Sequence, residues 1–222
     1  MSSLPMGGNE ATNNPTLQEE GPKTGIPMGI TAENVADKYN ISREDQDAFA
    51  VESHRRAAAA QEAGRFDEII PVNAQTPKYT ENGVEMTTTV FDKDETIRPS
   101  SSMESLAKLP TAFRRNGTVT PGQSSPITDG AGFVVLMSGD KVKELGVKPI
   151  AKFVGFKVAG VSPEIMGIGP VEAVPAVMKL TGLNLEDMDL IEFNEAFGSQ
   201  IIASMRELNM DPEITNVNGG AI

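Results

Sequence analysis

Apolar residues recur at helical spacing in several stretches of the chain. Ala32, Val35, Ala36 and Tyr39 form one stripe after Thr31, a good N-cap, with Glu33 in the first turn and Asn40 as the stop. Ser42-Arg-Glu-Asp45 is a capping-box pattern that opens a longer helix. That helix runs through Ala57-Ala-Ala-Ala60, a strong helix-forming run that permits close packing, and ends at Gly64. A short helix over 138–145 closes at Gly146. Ala173, Val174, Val177 and Met178 predict a buried helical face, with Pro170 at the first helical position and an end near Gly182. A last stripe, Phe197, Ile201, Met205 and Leu208, predicts a helix from Ala196 to Leu208.

Between these lie short apolar or β-branched runs bounded by turn residues. They predict strands at 66–72, 84–91, 133–137, 150–158, 190–193 and 214–217, the first two as a hairpin-like pair. From residue 133 onward strands and helices alternate, which is an α/β pattern. Residues 1–27, rich in Gly, Asn, Pro, Ser and Thr, read as a long loop.

At 222 residues with 39% hydrophobic content, the chain can bury a sizeable core in one or two domains. Its formal net charge of -12 argues against nucleic acid, whose binding rests on Lys and Arg neutralising phosphates, and against an anionic membrane surface. An acidic protein can still hold an anionic ligand through a few local cations. No hydrophobic run approaches a membrane span and no signal-peptide pattern opens the chain, so the default location is cytoplasmic. There is no Cys and hence no disulfide.

The candidate chemistry centres on Asp189-Leu-Ile-Glu-Phe-Asn-Glu-Ala-Phe197. A strand over 190–193 ends in Asn194 and Glu195, and a helix follows. In α/β sheets ligands meet the protein beyond the carboxyl ends of strands. An amide there can donate to a developing oxyanion, or hold a water that does. Asn194 is equally suited to cap the following helix. Arg98 is a loop cation beside a Ser cluster, and a surface salt bridge is its plain role. Ser124 and Ser125 suit a turn that satisfies its own backbone. His54, the one His, lies beside Arg55 and Arg56 and reads as a solvated surface residue. Met166-Gly-Ile-Gly-Pro170 could cradle phosphate, but Glu172 in the following turn would repel an anion.

Asn194-Glu195-Ala196-Phe197 resembles the Asn-Glu-Ala-Phe signature of thiolases. Asn216-Val-Asn-Gly-Gly-Ala-Ile222 is similar to the glycine-rich stretch that precedes their catalytic His. Met28-Gly-Ile-Thr-Ala-Glu-Asn34, Gln46-Asp-Ala-Phe-Ala50 and Met166-Gly-Ile-Gly-Pro170 match the same family in the same order.

The resemblance implies a partial thiolase-like α/β fold: a loop domain over 1–126, the end of the N-terminal half over 127–147, and a truncated C-terminal half over 148–222. Thiolases cleave a 3-ketoacyl-CoA with free CoA, or run the reverse Claisen condensation. They use a nucleophilic Cys, a second Cys and a His, so these residues are expected to be the middle of a longer enzyme, inactive and poorly soluble alone. Of the catalytic set only Asn194 is present. The resemblance assigns Arg98 to the nucleotide end of CoA, Ser105 to the adenine, and Ser125 to the pantetheine arm beside Gln123, where many thiolases have Asn. It gives the acyl group apolar walls from Met28, Phe113, Met166 and Phe197, each of which could equally be ordinary core. CoA and acyl-CoA are substrates; no further cofactor or metal is implied. A homodimer or homotetramer is expected of the full-length enzyme. Pro27, where short-chain biosynthetic thiolases carry His, leans towards the degradative type. The alternative is a non-catalytic CoA-binding or dimer-forming remnant.

Overall fold

A computed structural model describes residues 14–222; the first thirteen residues of the expected loop lie outside the described residues. The rest of that loop holds a short helix, α1 (Pro15–Glu20), capped by Asn14, and a 3-10 turn, Pro22–Gly25. Helix α2 (Met28–Tyr39) starts one turn earlier than the Thr31 cap predicted. Pro27 holds the chain extended, and its carbonyl accepts from the Ile30 and Thr31 amides at 2.9 and 3.2 Å. The stop at Asn40 is as predicted, in the left-handed conformation. Helix α3 (Arg43–Glu62) opens on the full Ser42–Asp45 capping box and ends just before Gly64.

A hairpin follows, β1 (Val72–Thr80) paired antiparallel with β2 (Gly83–Phe91), in register Val72↔Phe91 to Thr80↔Gly83. The predicted first strand, 66–72, is therefore displaced towards the C-terminus. Neither face of the hairpin is buried, so β1 carries no apolar alternation to betray it. Its Pro77 is tolerated because both strands are edges.

Helices α4 (Met103–Ala107), α5 (Gly139–Leu145), α6 (Gly169–Thr181) and α7 (Gly198–Leu208) complete the set. Gly146 and Gly182 terminate α5 and α6 in left-handed conformations, as predicted. The core forms where α2, α7 and the 3-10 turn Pro163–Ile168 meet: Val35, Ala36, Ile41, Ile168, Ile201, Ile202 and Ala203. A smaller cluster of Ala50, Leu106 and Ile222 shares Phe49 with it. Among the described residues no helix is long and apolar enough to cross a membrane.

The predicted strands 133–137 and 150–158 do not form. Both segments lack regular structure and ladders, and Phe133 and Phe153 are 93% and 73% exposed. A strand exists through its neighbours, and none pairs with these segments among the described residues. For the same reason the predicted face of α6, Ala173 to Met178, is only half-buried. Segments 190–193 and 214–217 do meet, in a single parallel bridge between Ile191 and Thr215. The Ile191 amide donates to the Ile214 carbonyl and the Asn216 amide to the Ile191 carbonyl, both at 2.9 Å. With α7 as crossover, this is a rudimentary βαβ unit.

Candidate active site

Asn194 sits in the turn between this bridge and α7. Its side chain is exposed and makes no hydrogen bond among the described residues. It does not cap α7: Phe197 occupies the N-cap, and no side chain bonds there. The capping role left open by the sequence is thus removed, and the amide is free to meet a ligand.

Glu195, next to it, is 1% exposed. Its carboxylate accepts from Ser53 Oγ at 2.6 Å, Asn216 Nδ2 at 2.8 Å and the Ile222 amide at 3.2 Å. Asn216 also closes a reciprocal pair with Phe193, accepting from its amide at 2.7 Å and donating to its carbonyl at 2.8 Å. The side chain therefore continues the ladder that the Ile191 bridge begins. The negative charge of Glu195 also bears on Glu192, whose carboxyl is held above its usual range, by burial first and by that charge second.

Two of the predicted apolar walls meet beside this turn. The Phe113 and Phe197 rings pack edge to face, with centroids 5.9 Å apart. Phe113 covers Gly29, next to Met28; any side chain at Gly29 would overlap the ring. Met166 lies in the neighbouring turn, where Gly167 backs onto Gln200 and Val35. Met28, Phe113 and Met166 are all exposed enough to face a ligand.

Ser125 joins the same group. Ser124 and Phe197 form an antiparallel bridge, and both the amide and the hydroxyl of Ser125 donate to the Ala196 carbonyl, at 3.1 and 3.2 Å. Ser124 turns back to the Thr120 carbonyl instead. Gln123 is fully buried and donates to Asp47 at 2.8 Å and the Thr118 carbonyl at 3.2 Å, so its amide braces the loop from within.

Arg98 lies on the segment leading into α4, and Ser105 lies within α4. The expected surface salt bridge is not formed: the Arg98 guanidinium has no ion pair among the described residues. Ser105 is exposed, and its hydroxyl is engaged in the α4 capping box with Ser102.

His54 corrects its sequence assignment. It is not a solvated surface residue but is 7% exposed, and its Nδ1 accepts from the Arg98 amide at 3.3 Å. It is therefore drawn as the Nε2-protonated tautomer. Burial first, and the Arg98 charge second, hold its pKa below the ordinary value, with Asp94 opposing. The unfolded chain thus takes a proton at a higher pH than the folded one. The His54 contribution to stability is full above about pH 6.5 and is lost as pH falls through the folded pKa. A His54→Gln variant is expected to lose this step, giving a flatter melting temperature between pH 7.5 and 5 than the parent. Parallel profiles would show that His54 is not the group responsible.

The residues that organise the site, Glu195, Ser53, His54 and Asn216, were not marked as functional by the sequence. A signal exists for two of them: Gln46, Ala50, Ser53, Ala57 and Ala60 are buried at helical spacing in α3, a face of small and polar residues with His54 beside it.

Residues 4–140 match the family model for the thiolase N-terminal domain and residues 147–222 that for the thiolase C-terminal domain. The chain is 50% identical over 224 residues to the 3-ketoacyl-CoA thiolase of Bacillus subtilis, covering 100% of this chain and 57% of that protein. It aligns with human mitochondrial 3-ketoacyl-CoA thiolase in complex with CoA at a TM-score of 0.81 and 45% identity, over 88% of this chain and 47% of that one. With the dimeric peroxisomal thiolase of Saccharomyces cerevisiae the TM-score is 0.85 at 37% identity, over 98% of this chain and 53% of that one. The chain spans about half the length of the curated relatives it matches. Its partial α/β fold, its ordered motifs and its match to both domain models establish that the chain belongs to the thiolase family.

Proposed function

We propose that these residues serve in an acyltransferase of the thiolase type, which cleaves a 3-ketoacyl-CoA with free CoA or runs the reverse condensation. The observation that carries this is the free amide of Asn194, held out from a buried turn beside Ser125 and the Phe113–Phe197 pair. An amide in that setting suits a developing oxyanion, directly or through a water. Met28, Phe113, Met166 and Phe197 supply apolar surface for an acyl chain, and Arg98, without an ion pair among the described residues, a cation for the nucleotide phosphates. The full-length enzyme is proposed to work as a homodimer or homotetramer. It should convert a 3-ketoacyl-CoA and CoA into acetyl-CoA and a shortened acyl-CoA, read by mass spectrometry. No product from a folded full-length preparation would refute the assignment.

The 222-residue chain by itself contains no Cys. It therefore supplies no thiolate to attack the keto carbon and should show no thiolysis above contaminant level. Turnover by this chain alone would mean that some other residue acts as nucleophile. The same lack of Cys favours one second reading, a CoA-binding or dimer-forming protein without chemistry. CoA binding with no turnover in the full-length protein would select it.

A further inference from the structure

We propose that Glu195 is a positioning residue that acts through Asn194, by tying its turn to α3 and to the glycine turn before Ile222. This rests on the oxyanion reading of Asn194.

A buried carboxylate without a cation is costly unless its oxygens are filled by donors. Glu195 is filled from three separate parts of the chain: Ser53 on α3, Asn216 at the end of the parallel bridge, and the Ile222 backbone. Ser53 Oγ is itself approached by the Gly220 amide at 3.2 Å, so the hydroxyl is shared between the carboxylate and the glycine turn. The glycines make room for this arrangement. Gly219 has φ +81° and lies against the α3 backbone at Ser53 and Ala57, while a side chain at Gly220 would overlap the Glu195 carboxyl group. Among the described residues Asn194 has no hydrogen bond of its own to fix it. Its location is set by its neighbours: Phe193 gripped by Asn216, Glu195 locked by three donors, and Ala196 held by Ser125. Of these, only Glu195 reaches both α3 and the glycine turn.

The test uses the full-length enzyme with Glu195→Gln, in the parent and in an Asn194→Ala background. Gln keeps the shape but turns an N–H2 group towards donors. Glu195→Gln should lower kcat at least tenfold with KM within twofold, and should lower it less than twofold once Asn194 is already Ala. An equal loss in both backgrounds overturns the proposal, because a merely structural role reduces activity whatever residue occupies 194. If Glu195→Gln does not fold, Ser53→Ala removes one donor and leaves the carboxylate; the same background dependence is then required of it. Normal kcat in Asn194→Ala itself would sink the oxyanion reading and, with it, action through Asn194. Hydrogen exchange separates that failure from failure of the tie. The Ile222 amide should exchange at least tenfold faster in Glu195→Gln, and unchanged exchange overturns the tie itself.

Discussion

Asn194→Ala in the full-length enzyme is expected to lower kcat by roughly 10² to 10³, the scale of losing one oxyanion donor. KM for the ketoacyl-CoA should move little, because the bond strengthens only as the oxyanion forms. Thermal stability should be unchanged. The side chain is exposed, bonds to nothing among the described residues and leaves the α7 N-cap to Phe197, so its removal disturbs no contact. Arg98→Ala should behave in the opposite sense, weakening CoA binding while kcat stays nearly intact. Steady-state kinetics beside a melt on the same preparations checks both. A lowered melting temperature with normal kcat for Asn194→Ala would end the catalytic assignment.

A second large effect is expected at Glu33, this time on stability. Its carboxylate is fully buried and accepts from the Thr118 amide at 2.9 Å, the Val119 amide at 3.1 Å and, more distantly, Arg114 at 3.4 Å. The backbone at Gly117 presses against it so closely that any side chain there would overlap the carboxyl group. Glu33 thus ties residues 117–119 to α2, beside the Arg114–Asp37 ion pair that holds the start of the same loop to that helix. Glu33→Ala leaves the buried Val119 amide and the half-buried Thr118 amide without this partner and opens a small void. The expected loss is about 3 kcal/mol, within the range for breaking a buried charged hydrogen-bond set. Arg114 does not compensate, since it is already held by Asp37 at 2.7 and 2.9 Å. Urea unfolding should show a lower midpoint at constant slope, and Glu33→Gln should fall between the two. A shift worth under about 1 kcal/mol would show that water replaces the carboxylate.

How much of this was legible in the sequence depends on whether the signal is local. The α3 start at Ser42 and Asp45, and the helix ends at Asn40, Gly146 and Gly182, are written in residues whose conformational preferences act within a turn. They are found where expected. Strands depend on distant partners, so the apolar runs at 133–137 and 150–158 gave a sound reading of composition that the observed pairing does not realise. The hairpin strand β1 was placed too early for the converse reason: its residues face solvent on both sides, and only pairing with β2 defines its span. At the site, the turn at Asn194 was legible as the end of an apolar run. The groups beneath it were not. Glu33, Ser53, His54 and Glu195 are polar residues in polar contexts, and their burial follows from which segments converge on them.

Ser53 and His54 are consecutive on α3, yet one reaches the Asn194 turn through Glu195 and the other supports the Arg98 segment. A helix turns about 100° and advances about 1.5 Å per residue, so a single inserted or deleted residue upstream in α3 would swing both side chains away together. The spacing from Ser42 to His54 therefore cannot change, even where exposed residues of the helix do. Length, as well as identity at Ser53 and His54, is what this helix must preserve in redesign.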